Sequence, residues 1–240
     1  MPQRLFSPRI SIRPVAGFFP RRRRTTLLGV SGRHRPVFSP RPCDHIRSRY
    51  GLENCFVVGH VGVLREWLDF RPLFIAIKRL AAAMNIKLLI VGGGVGYEDA
   101  VKMAKEIGVL ENIVFTGAIP YSQVPEYISC MDVGIVPFKP DNVSNNSLPL
   151  KLFEYFACEV PVISTYIDTI REIFGNNVLF VSTPEDYSRM MLLLCQNPDL
   201  RKEMGRSGRK IVESSYRWST LSKNLEIIAR SEVQNGLVHA

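Results

Sequence analysis

Between residues 55 and 181, short apolar runs alternate with longer amphipathic stretches, and this alternation restricts the fold more than any other feature of the chain. Runs of near-continuous apolar residues are what strands buried on both faces look like. Such strands belong to parallel sheets, where every step from one strand to the next needs a crossover helix. The runs at 55–61, 87–91, 112–115, 133–137, 160–164 and 178–181 are the expected strands. The segments at 72–84, 98–107, 122–130, 150–157, 168–173, 184–196, 198–214 and 219–229 are the expected helices. Thr183-Pro184 and Asn197-Pro198 each set a capping side chain before a first-turn proline, and Ser182 with Glu185 has the spacing of a capping box. The expected fold class is therefore α/β, a parallel sheet flanked by helices.

The first 50 residues read differently. They hold 12 Arg, no Lys and one acid, Asp44, together with 7 of the 16 prolines. No period of 2 or 3.6 is sustained there, so residues 1–50 are expected to be a disordered Arg/Pro-rich tail. The remaining 190 residues carry 19 basic and 21 acidic groups, so the net charge of +9 belongs to the tail. Arg21 to Arg24 is a cluster of the kind that meets anionic surfaces. A truncated or frame-shifted gene would also give such a stretch. The domain expectation is a tail at 1–50, a folded α/β domain at 51–231 and a short C-terminal tail at 232–240.

Five scattered cysteines (Cys43, Cys55, Cys130, Cys158 and Cys195) form no pair or Cys/His cluster with metal-ligand spacing. Cys55, Cys130 and Cys158 lie in or beside apolar runs and are expected in the core, and a reducing cytoplasm fits best. The four histidines are dispersed and supply no hydrolase triad. No apolar run approaches the ~20 residues of a membrane-spanning helix.

The chemistry concentrates between Asn146 and Ile163. A loop ending in Ser147-Leu148-Pro149 runs into an expected helix that carries Lys151 and Glu154 on its first turns. A loop that enters a helix presents free backbone N–H groups and the positive end of the helix dipole, which suits a phosphate. Lys151 adds a charge there, and Glu154, three residues on, can accept hydrogen bonds from sugar hydroxyls. From spacing alone, an ordinary solvated Lys/Glu pair on a helix with Leu148, Leu152, Phe153 and Phe156 buried is the simpler reading.

The segment resembles the donor-site helix of the retaining family-four glycosyltransferases of the GT-B fold, whose pattern is roughly E-x-F-G-x-P-x-x-E-A-M-A-x-G-x-P-V. Gly59-His60-Val61-Gly62, Leu89-Ile90-Val91-Gly92-Gly93-Gly94, Asn112-Ile113-Val114-Phe115-Thr116-Gly117 and Met131-Asp132-Val133-Gly134-Ile135-Val136-Pro137-Phe138 resemble further blocks of that family, in the same order. The resemblance runs from about residue 55 to about residue 229. It implies a Rossmann-like sheet equivalent to the C-terminal half of a GT-B enzyme, and a cytoplasmic location extending to the inner face of the membrane. The function it implies is transfer of sugar from a nucleotide-diphosphate donor to a polysaccharide or glycolipid. The expected partners are that nucleotide-sugar and an acceptor-binding domain or chain, with no nucleic acid; peripheral membrane association stays open. The donor is a substrate; no cofactor and no essential metal are expected.

Carried over residue by residue, the resemblance assigns the diphosphate to Lys151 and the backbone of Ser147 and Leu148, the ribose to Glu154, and the base to the edge at Thr116 and Gly117. Gly62 lies at the first glycine turn. Two departures matter. Val63 stands where the family has a phosphate-gripping Arg, which leaves Arg65 as the substitute. Asn146 stands where the family has an acid at the donor sugar, so the catalytic pair becomes Asn146 and Glu154, without the charge that would stabilise an oxocarbenium. The glycine run after Val91 lacks the G-x-G-x-x-G spacing of a dinucleotide site. The competing reading is an inactive truncated fragment or a non-catalytic subunit, and a third, a sugar-nucleotide epimerase, needs carboxylates and histidines that the sequence does not place.

Overall fold

The structure, a computed structural model, describes residues 37–139 and 148–216. Six strands, β1 (Phe56–Val61), β2 (Ile86–Val91), β3 (Ile113–Gly117), β4 (Val133–Val136), β5 (Val162–Thr165) and β6 (Val178–Val181), form one sheet in the order β3-β2-β1-β4-β5-β6. Every pairing is parallel. All of β1 and all of β4 are buried, which is why these runs carry no polar alternation. The strand order reverses between β1 and β4, and in a doubly wound sheet the crevice outside that reversal is where ligands bind.

Eight α-helices accompany the sheet among the described residues: α1 (Asp44–Arg49), α2 (Arg71–Ala81), α3 (Tyr97–Ile107), α4 (Val124–Ser129), α5 (Leu150–Ala157), α6 (Asp168–Phe174), α7 (Pro184–Gln196) and α8 (Pro198–Ser215). α2 buries Leu73, Phe74, Ile77 and Leu80, an i, i+1, i+4, i+7 stripe, and packs beside α7. α5 buries Leu152, Tyr155 and Phe156 and is backed by α8. That approach is close because α8 presents glycine. A Cβ on Gly205 would stand 1.9 Å from the Glu159 carbonyl oxygen, and one on Gly208 would stand 2.0 Å from the Phe156 ring. Cys55, Cys130 and Cys158 are in the core, as expected.

The chain belongs to the fold earlier than the sequence suggests. Residues 37–50, assigned above to the disordered tail, pack against the sheet. Phe38 and Ile46 are buried, and α1 holds Arg47 against the Asp132 carboxylate at 3.1 Å and the Cys130 carbonyl at 2.7 Å. Asp132 also accepts from the Val57 N–H at 2.9 Å and pairs with Arg201 at 3.4 Å, so one carboxylate ties α1, β1 and α8 together. The domain boundary expected at 50–51 therefore lies at or before residue 37. The expectations for residues 1–36, the helix at 219–229 and the tail at 232–240 fall outside the described residues.

Two local capping expectations change, one by a shift of a residue and one by the loss of a cap. The capping box at the start of α7 is Thr183 with Asp186, not Ser182 with Glu185, because Pro184 fixes the first helical position and so makes Thr183 the N-cap. Asn197 does not cap α8 with its side chain; its amide instead donates to the Leu193 carbonyl at the end of α7. Glu159, after α5, adopts φ 61, a left-handed conformation usually left to glycine. It stands where the glycosyltransferase pattern above has Gly.

Candidate functional site

Two glycine turns and one helix build the site at the C-terminal edge of the sheet, beside the β1/β4 reversal. β1 ends in Gly62 (φ +131) and β2 in Gly92 (φ +136), Gly93 and Gly94 (φ +135). These turns interlock. A Cβ on Gly92 would stand 2.1 Å from the Gly62 carbonyl oxygen, and one on Gly94 would stand 2.5 Å from that of Leu64. The Leu64 N–H donates to Gly93 at 2.8 Å and the Gly92 N–H to Gly117 at 2.9 Å, which fixes the floor. A cavity of about 800 Å³ opens above it, walled by the turns, by Ala118, Ile119 and Tyr121, by Trp67 and Phe138, and by Lys151 and Glu154 of α5. That volume falls within the range of small-molecule sites.

Lys151 and Glu154 both line this cavity. The Lys151 ammonium lies 5.7 Å from the Phe138 ring centroid and directly over Gly62, where a Cβ would stand 3.1 Å from Nζ. A side chain at Gly62 would be strained by its φ of +131 and would push the lysine aside by a few tenths of an ångström. Burial drives the lysine from its ordinary 10.5 down to about 7, partly offset by the Glu154 charge. Glu154 accepts a hydrogen bond from the Tyr121 hydroxyl at 3.0 Å. Burial raises its carboxyl, against the opposing pull of Tyr121 and Lys151. A lysine held at such a disadvantage regains its charge when a phosphate stands beside it.

Gly62 is at the site. Thr116 and Gly117 end β3 just below it and do not line the cavity. Thr116 turns its hydroxyl to the Gly117 carbonyl at 2.8 Å, and the next residues, Ala118 and Ile119, form the wall instead. Arg65 is also outside the wall, exposed, with its guanidinium 5.4 Å from the Trp67 ring centroid. Leu148 is exposed just before α5. Asn146 and Ser147 lie outside the described residues.

Sequence reasoning missed His60. It is fully buried on β1, with Nδ1 3.2 Å from the Ile135 carbonyl and Nε2 3.3 Å from Lys151 Nζ. It missed Tyr155 too, whose hydroxyl accepts from the Val61 N–H at 2.8 Å and so pins α5 to the end of β1. A histidine inside an apolar strand was the available signal, but its partners come from β4 and α5 and only the fold assembles them.

The family model for glycosyl transferases group 1 matches residues 44–211. Among curated proteins, the GDP-mannose-dependent alpha-(1-6)-phosphatidylinositol monomannoside mannosyltransferase of Mycolicibacterium smegmatis is 28% identical over 203 residues, 78% of this chain and 52% of that protein. Among solved structures, sucrose-phosphate synthase from Thermosynechococcus elongatus superposes with a TM-score of 0.69 at 19% identity, covering 83% of this chain and 50% of that one. Anabaena HepE in complex with UDP gives 0.67 at 17% identity, covering 82% and 54%. The C-terminal domain of the group 1 protein LpcC from Francisella tularensis gives 0.60 at 16% identity, covering 76% of this chain and 97% of that domain. The chain thus spans a quarter to a half of the length of the curated relatives it matches and nearly all of the LpcC C-terminal domain. The chain belongs to the glycosyl transferases group 1 family, and its sheet is the Rossmann-like C-terminal half of the GT-B fold.

Proposed function

We propose that this chain binds a nucleotide-diphosphate sugar and supplies the donor half of a retaining glycosyl transfer to a polysaccharide or glycolipid. The observation that carries the reading is the placement of Lys151 and Glu154 on one wall of the cavity, with the lysine over the Gly62 turn. Lys151 neutralises the diphosphate, with the backbone at Ser147 and Leu148 completing the grip. Glu154 accepts from the ribose, and Ala118, Ile119 and Tyr121 cover the base beyond Thr116 and Gly117. Asn146 meets the donor sugar and orients it by hydrogen bonding, without the charge of an acid. The donor is a substrate, and Lys151 rather than a metal is assigned the role of neutralising it. The structural neighbour HepE is described in complex with UDP, and the M. smegmatis relative is named as GDP-mannose-dependent. Both support a nucleotide-sugar without choosing the base.

Among the described residues no helix is long and apolar enough to cross a membrane. The buried free thiols of Cys55, Cys130 and Cys158 suit a reducing compartment, and we place the protein in the cytoplasm, meeting a lipid-linked acceptor at the membrane's inner face.

A second reading draws on the matched lengths: a donor-binding piece that needs an acceptor-binding domain or chain before it turns over. Release of nucleotide from UDP-glucose or GDP-mannose by the purified chain separates the two. Turnover supports a self-sufficient enzyme. Binding without turnover, restored by an added acceptor-binding chain, supports the second. Neither binding nor turnover rejects both.

A further inference from the structure

Within the donor reading just given, on which this inference rests, Lys151 needs a support. A primary ammonium has no preferred direction of its own, and a four-carbon stem leaves it free to swing to solvent. That support is His60. The Ile135 carbonyl oxygen can only accept, so His60 Nδ1 carries the ring proton and donates to it at 3.2 Å. Nε2 is then a bare lone pair, and it faces Lys151 Nζ at 3.3 Å. The ring is clamped further by a T-shaped contact with Phe70, with centroids 5.1 Å apart.

We propose that His60 is a positioning residue for the donor phosphates: its Nε2 accepts a hydrogen bond from the Lys151 ammonium and holds that charge over the Gly62 turn, at the mouth between the two glycine loops. Among the described residues, few groups surround the pair. The Ile135 carbonyl and the Tyr155 hydroxyl, itself 3.5 Å from that carbonyl, lie on the β4 side. Glu154 is on the same helix as Lys151, and Phe138 presents only its ring. Burial, then the nearby lysine charge, hold the imidazole well below its usual titration range, so it stays a neutral acceptor when the lysine is charged. A neutral acceptor steadies the ammonium without neutralising it, whereas a carboxylate in that place would compete with the phosphate for the lysine.

Two measurements test this. The first uses nitrogen-detected NMR of His60 in the unliganded protein. The Nδ1–H tautomer, with a bare Nε2, is expected through neutral pH; an Nε2–H tautomer would overturn the proposal. The second titrates UDP, with GDP and ADP alongside, into wild type, His60→Phe, His60→Gln and Lys151→Met across pH 6 to 9. Lys151→Met should remove binding. His60→Phe should weaken it about tenfold, the value of one hydrogen bond to a charged group, and move the alkaline loss of binding to lower pH. His60→Gln keeps an acceptor oxygen and should recover part of both. If Lys151→Met weakens binding but His60→Phe keeps the wild-type pH profile, or weakens binding equally at every pH, His60 is only a core residue and the donor reading stands without it. If wild type binds none of the three nucleotides, the donor reading fails and this inference with it.

Discussion

Replacing Lys151 with methionine should stabilise the ligand-free protein while abolishing its hold on nucleotides. Burial takes the ammonium from 10.5 to about 7 in the folded state. At about 1.4 kcal/mol per unit, the full shift would make the charge a burden of roughly 5 kcal/mol at neutral pH. Lys151 is half-buried, and water entering through the cavity mouth relieves much of that, leaving about 2 kcal/mol. Methionine has nearly the same length and no charge to desolvate. In a domain of this size the gain should raise Tm by about 4–8 °C at pH 7, read by calorimetry or circular dichroism. The pH dependence carries the sharper test. The folded value lies below the unfolded one, so between about 7 and 10.5 the unfolded wild type binds more protons than the folded. Wild-type stability therefore gains with rising pH across that window, and the variant has no such gain from this site. The advantage of Lys151→Met should be complete below pH 7 and vanish above 10.5. A difference from wild type that stays constant between pH 7 and 10.5 would refute the picture of a desolvated lysine waiting for an anion, since the His60 Nε2 left without its partner costs the same at every pH in that window.

Three further substitutions probe the frame around the site. Gly92→Ala puts a methyl 2.1 Å from the Gly62 carbonyl at φ +136, and should cost about 3 kcal/mol in a denaturant titration while weakening UDP binding. Glu159→Gly releases a left-handed residue and loses only the 3.4 Å contact with Arg209, so urea unfolding should show a gain of about 0.5 kcal/mol; a loss above 1 would mean that contact dominates. Phe38→Ala should cost about 3 kcal/mol, which a flexible tail residue would not, and equal stability to wild type would return residues 37–50 to the tail.

The sheet was legible because its chemistry is local. The runs at 55–61 and 87–91 have the length and β-branched composition of strands buried on both faces, and the stripe on α2 repeats at helical spacing. Phe38 and Ile46 carry no such period. Their place is set by contacts to residues more than eighty positions away, such as Arg47 with Asp132, and the arginine-rich composition around them pointed to disorder. The same division runs through the site. Lys151 and Glu154 could be read from their spacing on one helix and the pattern they resemble. His60 could not, because its two partners lie 75 and 91 residues further along the chain. Thr116 and Gly117 missed the cavity by one residue, since the side of a strand end that faces a crevice depends on where the neighbouring Gly92 turn closes.

The central claim is a nucleotide-diphosphate site on α5. Calorimetric titration of the purified protein with UDP, GDP and ADP, using Glu154→Ala as the control, addresses it directly. The account predicts that one nucleotide binds and that the substitution removes the binding. A protein shown to be folded that binds none of the three, or that binds equally well without Glu154, would contradict it.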